Sequence, residues 1–236
     1  MKKIIQNFPK VTLALGLVLS FCLISPAQAG DYGSSGQPYF SLSAQVVSPD
    51  AIDVESAIGF PNGGILTARD ASLDFEVGWG VTGAFGWLYD SNWHYEVELG
   101  HRAFDLADGF ATGNAQPVTG EWNTQTFFIN GGYDFRSDSF ITPYLEVGLG
   151  AALHEVTIEG FSNLPVIPAI SEQFQVTPAV QAKMGVNLEV ADDMDIVLGY
   201  RFVTAVNPDF DAIAFDRLDI HNFELGLKFY IEDWIN

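Results

Sequence analysis

Residues 72–87 read SLDFEVGWGVTGAFGW, and this stretch decides the fold. Its large apolar side chains occupy odd positions from Leu73 to Phe85, and its polar or small residues occupy even positions from Ser72 to Thr82. A side-chain period of two is typical of a β-strand with two unlike faces. Gly78 and Gly80 fall in the polar row, where glycine weakens a solvated strand but leaves room for larger neighbours in a narrow interior. The stretch therefore predicts a strand whose polar face points into a small, filled barrel.

Seven further stretches repeat this alternation, and the lengths of their connections alternate too. With 72–87, the predicted strands are 37–48, 93–104, 122–135, 142–158, 173–190, 195–204 and 218–231. Short segments, 88–92, 136–141 and 191–194, join every second pair, and longer segments with Gly, Pro and Asp join the others. This layout predicts an all-β fold, an eight-stranded antiparallel up-and-down transmembrane β-barrel with three short periplasmic turns and four longer extracellular loops.

The first residues predict export. Lysines at positions 2, 3 and 10 precede an uncharged apolar run over 11–25, which ends at Ala27-Gln28-Ala29. This order is typical of a secretory signal peptide over 1–29, and the run is shorter than the ~20 residues of a spanning helix. We therefore expect residues 30–236 to form the barrel domain. A lipoprotein signal at Cys22 is the alternative, but the bulky Phe21 precedes that cysteine.

Charge excludes several classes of partner. Without the three lysines of the predicted signal peptide, the chain keeps 7 basic against 30 acidic residues, a net charge of −23. Such a balance opposes binding to nucleic acid. Cys22 is the only cysteine, so the predicted mature chain has no disulfide and no cysteine metal site. We expect no cofactor and no metal, since Asp192, Asp193 and Asp195 lack the oxygen spacing of a calcium loop.

The polar row of the strands collects charges of both signs. A soluble barrel that carries a ligand would point its apolar row inward, whereas here the glycines and charges favour the opposite orientation. Buried carboxylates need cationic partners, so we predict an interior ion-pair network. Its expected members are Asp74, Glu76, Glu96, Glu98, Arg102, Glu146, Lys183, Glu189, Arg201, Glu224 and Lys228.

Aromatic residues concentrate near the short turns. An aromatic girdle at the membrane interface is typical of transmembrane barrels, although ordinary core aromatics remain the alternative. The expected girdle members are Trp87, Tyr89, Trp93, Phe135, Phe140, Tyr144, Phe40, Phe229 and Trp234.

Three motifs carry a family resemblance over residues 30–236. They are the pair FEVGWG (75–80) and YEVELG (95–100), the segment PYLEVGLG (143–150) and the segment ELGLKF (224–229). With them, the chain resembles the small porin-type outer-membrane β-barrels, the group of OmpA-like and OmpX-like barrels and bacterial surface antigens. The resemblance implies location in the bacterial outer membrane. The family's assembly signal usually ends at a C-terminal aromatic residue, whereas here residues 232–236 follow Phe229 and Ile231. We expect no peptidoglycan-binding domain after the barrel.

The sequence favours a non-enzymatic role in envelope structure or surface interaction. The alternatives are a small-solute pore and a lipid A-modifying enzyme. His101 and His154 each have a nearby acid, Asp105 and Glu155, but no serine motif accompanies them, so we expect no catalytic residues. Expected partners are outer-membrane lipid and lipopolysaccharide, the latter through divalent cations on acidic loops, and the assembly machinery.

Overall fold

The computed structural model describes residues 36–58, 65–66, 72–111, 114–161, 170–206, 208–210 and 213–231. The predicted signal peptide and Trp234 lie outside these residues. We number the barrel strands in chain order. They are β1 (Gln37–Pro49), β2 (Gly78–Leu88), β3 (Trp93–Ala111), β4 (Asn114–Asp134), β5 (Ile141–Phe161), β6 (Ile170–Ala191), β7 (Met194–Ala205) and β8 (Leu218–Tyr230).

Antiparallel pairing closes these strands into a barrel. Each strand pairs with the strands before and after it in the chain, and β1 also pairs with β8. Leu42, for example, lies between Gly83 of β2 and Leu227 of β8. The predicted eight-stranded barrel is therefore confirmed. Within the described ranges, the structure contains no helix with the length and apolarity that crossing a membrane requires.

The two ends of the barrel differ. At one end the strands are joined by the short segments 89–92, 135–140 and 192–193, and Asn92 adopts a left-handed backbone with φ of 66°, which asparagine tolerates. At the other end β3 and β4 run on to the pair Ala111 and Asn114. The segment predicted to be a loop between them is thus mostly a long β-hairpin. Its polar residues continue the two paired strands beyond the membrane.

Short strands cover the long-loop end. They are Ile52–Ile58, Ile65–Leu66, Ser72–Phe75, Asp209–Phe210 and Ile213–Phe215. Ile52–Ile58 pairs with three of the others, and Ser72–Phe75 also pairs with β3. These loop strands bring apolar side chains over the mouth of the barrel.

One predicted strand was wrong in part. The stretch 72–87 is interrupted at Glu76 and Val77, and the register against β3 shifts at this break. A one-residue shift exchanges the two faces of a strand. Leu73 and Phe75, predicted to face outward, therefore pack in the core, while Trp79 points outward as predicted.

Apolar residues cover the outside of the barrel. On β5, Val147 is 68% exposed, whereas its inward neighbour Glu146 is 5% exposed. The same alternation runs along β8, where Leu225 is exposed and Glu224 is buried. An apolar outer wall around a charged interior fits a lipid-facing surface.

The interior has two layers. Charged and polar side chains fill the half near the short turns, and an apolar core that includes Trp122, Phe128 and Phe215 fills the half near the loops. Close approach of strands requires glycine at Gly150, since a Cβ there would lie 1.9 Å from the carbonyl oxygen of Phe127. The lumen is therefore packed with side chains, as expected of eight strands.

Candidate functional site in the barrel lumen

The barrel register places the interior charges side by side. Glu96 and Glu98 are both inward on β3 because they are two residues apart. Lys183 of β6 lies opposite Glu146 of β5 on one side and Arg201 of β7 on the other. Acids and bases of four strands thus share one level of the lumen.

Lys183 is the centre of this cluster. Its Nζ lies 2.7 Å from Oε1 of Glu96 and 3.1 Å from Oε2 of Glu98, and it also contacts Oε1 of Glu146. The lysine side chain and all three carboxylates are buried. One ammonium group therefore donates hydrogen bonds to two carboxylates and forms an ion pair with a third, which compensates their desolvation.

Arg201 joins the next pair of carboxylates. Its Nη2 donates to Oε2 of Glu224 at 2.8 Å, and its Nη1 contacts Oε1 of Glu98. Gln181 accepts a further bond from Nη1 at 3.1 Å. Several directed hydrogen bonds from one planar guanidinium fix its orientation, whereas the ammonium group of a lysine would act as a single point charge.

The three glutamates around Lys183 have the spacing of a metal site. One carboxylate oxygen from each of Glu96, Glu98 and Glu146 lies within 4.8 Å of the others. The ammonium of Lys183 already lies among these oxygens. The three glutamates therefore already contact a cation of the chain itself, the Lys183 ammonium, and they do not require a metal ion.

A histidine links the cluster to the short-turn end, and sequence reasoning missed it. Nδ1 of His94 lies 3.1 Å from Oδ1 of Asp134, and Nε2 lies 3.1 Å from Oε2 of Glu146. Tyr39 donates to Glu96 at 2.9 Å. The even positions of β3 point inward from His94 to Arg102, so the parity of the strand was the signal that could have found His94.

Two other bases lie apart from the carboxylates. Arg102 donates to Oδ1 of Asn222 at 3.0 Å and to Oγ1 of Thr126 at 3.1 Å. Lys228 is buried, and its Nζ lies 4.6 Å from the centre of the Tyr39 ring. Both are interior residues, and these contacts are with neutral groups.

Three predicted members of the network lie elsewhere. Asp74 belongs to the loop strand Ser72–Phe75 above the lumen, and Glu76 is exposed at the break that follows it. Glu189 keeps the register that places its partner Asp195 inside, but it is exposed because it lies near the end of β6, at the short-turn end of the barrel. Irregular pairing thus reversed the predicted orientation only ahead of β2.

The aromatic residues near the short turns divide between two environments. Trp93, Phe135 and Phe140 are exposed on the outer wall, with Phe140 exposed to 64%. Tyr144 is 6% exposed and donates from inside the lumen to Oε1 of Glu224 at 3.2 Å. Tyr144 is therefore a network residue and not a girdle residue.

An apolar plug closes the other half of the lumen. We use this name for the buried cluster around Trp122, whose ring lies 5.6 Å from Phe75 and 5.6 Å from Phe215. The Trp122 indole donates to Nδ1 of His154 at 3.2 Å. Because an indole nitrogen can only donate, Nδ1 must accept, and this histidine is neutral. Its Nε2 lies 3.0 Å from Oγ1 of Thr177, so His154 bridges the plug and the polar layer.

The remaining histidines lie on the outer wall. Nδ1 of His221 is 2.5 Å from the Tyr200 hydroxyl, and its Nε2 is 3.2 Å from Oδ2 of Asp50. His101 packs against the Trp79 ring. The histidine hydrogen bonds of the described residues reach carboxylate, threonine, tyrosine and tryptophan side chains.

Little free space remains inside. A cavity of about 40 Å³ lies among the charged residues near the short turns, and the plug lies beyond them. An apolar outer wall, a closed set of strands and a charged, filled lumen together define a small transmembrane β-barrel.

The comparison with known families agrees. The family model described as "Outer membrane protein beta-barrel domain" matches residues 14–230, and the chain belongs to this family. It is therefore a protein of the bacterial outer membrane, and its short turns face the periplasm. No curated protein matches the chain at a significant level.

Solved structures share the fold at low identity. Neisserial surface protein A is 16% identical with a TM-score of 0.53, over 85% of this chain and 100% of that one. OprG of Pseudomonas aeruginosa is 12% identical with a TM-score of 0.52, over 85% and 99%. The protease OmpT of Escherichia coli is 7% identical with a TM-score of 0.47, over 86% and 99%.

Proposed function

We propose that this protein is a non-enzymatic outer-membrane barrel that presents its extracellular strands and loops at the cell surface and contributes to envelope integrity. The observation that carries this proposal is the apolar plug. It fills the extracellular half of the lumen, and the ion-pair network fills the other half. A lumen that is filled in this way favours a rigid scaffold over a pore for solutes.

The position of the histidines supports the non-enzymatic part of the proposal. His94 is held by two carboxylates, and His154 is buried against Trp122. Both histidines are therefore poorly placed to act as a general base for an exposed nucleophile. The expected partners remain outer-membrane lipid, lipopolysaccharide and the assembly machinery, with residues 1–29 removed on export.

Planar-bilayer recording of the purified, refolded barrel tests the proposal against the pore alternative. We expect no large, stable channels, because the plug and the ion pairs fill the lumen and the cavity among the charged residues measures about 40 Å³. A large, open porin provides the positive control. Stable conductance steps comparable with that control would contradict the proposal.

Mass spectrometry of lipid A from cells with and without the protein tests the enzyme alternative. We expect identical lipid A in the two strains. A change of acylation that appears with the protein and disappears in the His221→Asn variant would replace the scaffold proposal with an enzyme at the outer wall.

A further inference from the structure

The cavity in the periplasmic half of the lumen carries an inference about buried solvent. Asn187 lines this cavity together with Lys228, Tyr144 and Ser41. Asn187 is 2% exposed, and neither its Oδ1 nor its Nδ2 has a hydrogen-bond partner among the residues that the structure describes. Leaving both ends of a buried amide unpaired is costly, so the site needs a guest that both donates and accepts.

Lys228 is a second group at the cavity that needs hydrogen-bond partners. Its side chain is buried, and within the described part of the chain its recorded contact is with the Tyr39 ring. An ammonium has three donors, and a ring face satisfies them less fully than oxygen does. A guest with a free oxygen lone pair would therefore serve Lys228 and Asn187 at once.

The charge of the lining selects a neutral guest. The acids at the cavity are Glu96, Glu98, Glu146 and Glu224, and the bases are Lys183, Arg201, Lys228 and His94. His94 lies 3.1 Å from Oε2 of Glu146 and 3.1 Å from Oδ1 of Asp134, which lies behind the cavity lining. Basic and acidic side chains therefore alternate around the cavity, so the carboxylates oppose an anion, and the buried Lys228 at the Asn187 end opposes a cation.

We propose that this cavity is a hydration site that holds a small cluster of ordered water molecules, anchored by Asn187 and Lys228 at the periplasmic end of the lumen. A water needs on the order of 10–15 Å³ of cavity and two to four polar partners, and the cavity offers about 40 Å³. Asn187 lies opposite Thr142, near the start of β5. Solvent therefore enters from the periplasmic side, while the plug keeps the other half of the lumen dry.

The near-isosteric variant Asn187→Leu distinguishes a wet cavity from a dry one. If water satisfies the amide, the variant loses those bonds and its thermal midpoint falls. If the cavity is dry, the variant removes an unpaired amide and the midpoint rises, which would overturn the proposal. Asn130→Leu is the matched control, since Asn130 bonds Glu96 at 3.0 Å and Gln181 at 2.8 Å and must lose stability in either case.

A second measurement uses the unaltered protein, so it does not depend on folding of a variant. In lipid nanodiscs, we expect through-space NMR cross-peaks between water and the side-chain amide of Asn187. The control is Asn222, whose Nδ2 donates to backbone carbonyls and does not line the cavity. Absence of the Asn187 cross-peak would overturn the proposal, and so would stabilisation by NaCl that choline chloride does not reproduce, because that result would identify a cation as the guest.

Discussion

Arg201→Met is expected to lower the free energy of unfolding by about 3–5 kcal/mol, the usual cost of leaving buried charges without their partner. The substitution keeps the bulk of the side chain but removes the donors to Glu98 and Glu224. Both carboxylates are almost fully buried, so water cannot replace the guanidinium without opening the barrel. Urea titration of the protein in phospholipid vesicles, followed by heat-modifiable gel migration, measures the effect.

The chain offers a matched control for this experiment. Arg217 also forms an ion pair, at 2.6 Å with Asp219, but its side chain is 62% exposed. Arg217→Met should change stability by no more than about 1 kcal/mol. Combining Arg201→Met with Glu224→Gln should recover part of the loss, because one of the two unpaired charges is then gone. Equal urea midpoints for Arg201→Met and the unaltered protein would show that the lumen is solvated and that no buried network exists.

Trp122→Ala is expected to cost about 3–5 kcal/mol, the range for deleting a large buried aromatic side chain. Trp122 is fully buried, and its ring packs against those of Phe75, Phe104 and Phe215. Two of these contacts come from the short strands over the barrel mouth. The variant should therefore loosen the extracellular cover as well as the plug, which hydrogen exchange of the loop strands would detect along with the lower urea midpoint.

Trp93→Ala serves as the control for the loss of a tryptophan as such. Trp93 is exposed on the outer wall, where lipid can fill the space that the ring leaves. We expect a smaller effect on the urea midpoint and no change in exchange at the loop strands. If the two variants behave alike, the plug is not a packed core.

The barrel could be predicted from the sequence because its strands and turns depend on patterns of neighbouring residues. Strand direction, facing and turn length follow from a period of two and from the residues between the strands. The orientation of Glu96, Glu98 and Glu146 needed only the parity of β3 and β5. The same parity also placed His94 inside, although it was not used for that residue.

The failures depend on how distant parts of the chain meet. The register shifts beside Glu76 reverse Leu73 and Phe75, and Glu189 is exposed because it lies near the end of β6. Neither follows from a pattern of apolar and polar residues, because that pattern gives neither the register of a strand nor its position along the barrel axis. The plug could not be predicted for the same reason, since Ile52 and Phe215 reach it from separate loops.

Site-directed spin labelling tests the central claim, that the apolar rows face lipid and enclose the charged rows. The predicted mature chain has no cysteine of its own, so single cysteines can be placed at Leu145, Leu225, Glu146 and Glu224. Labels at Leu145 and Leu225 should be relaxed strongly by oxygen, which dissolves in lipid, and labels at Glu146 and Glu224 should be immobile and poorly reached by a water-soluble nickel complex. Shielding of the leucine labels from oxygen together with ready access of nickel to the glutamate labels would contradict the account and indicate a soluble barrel.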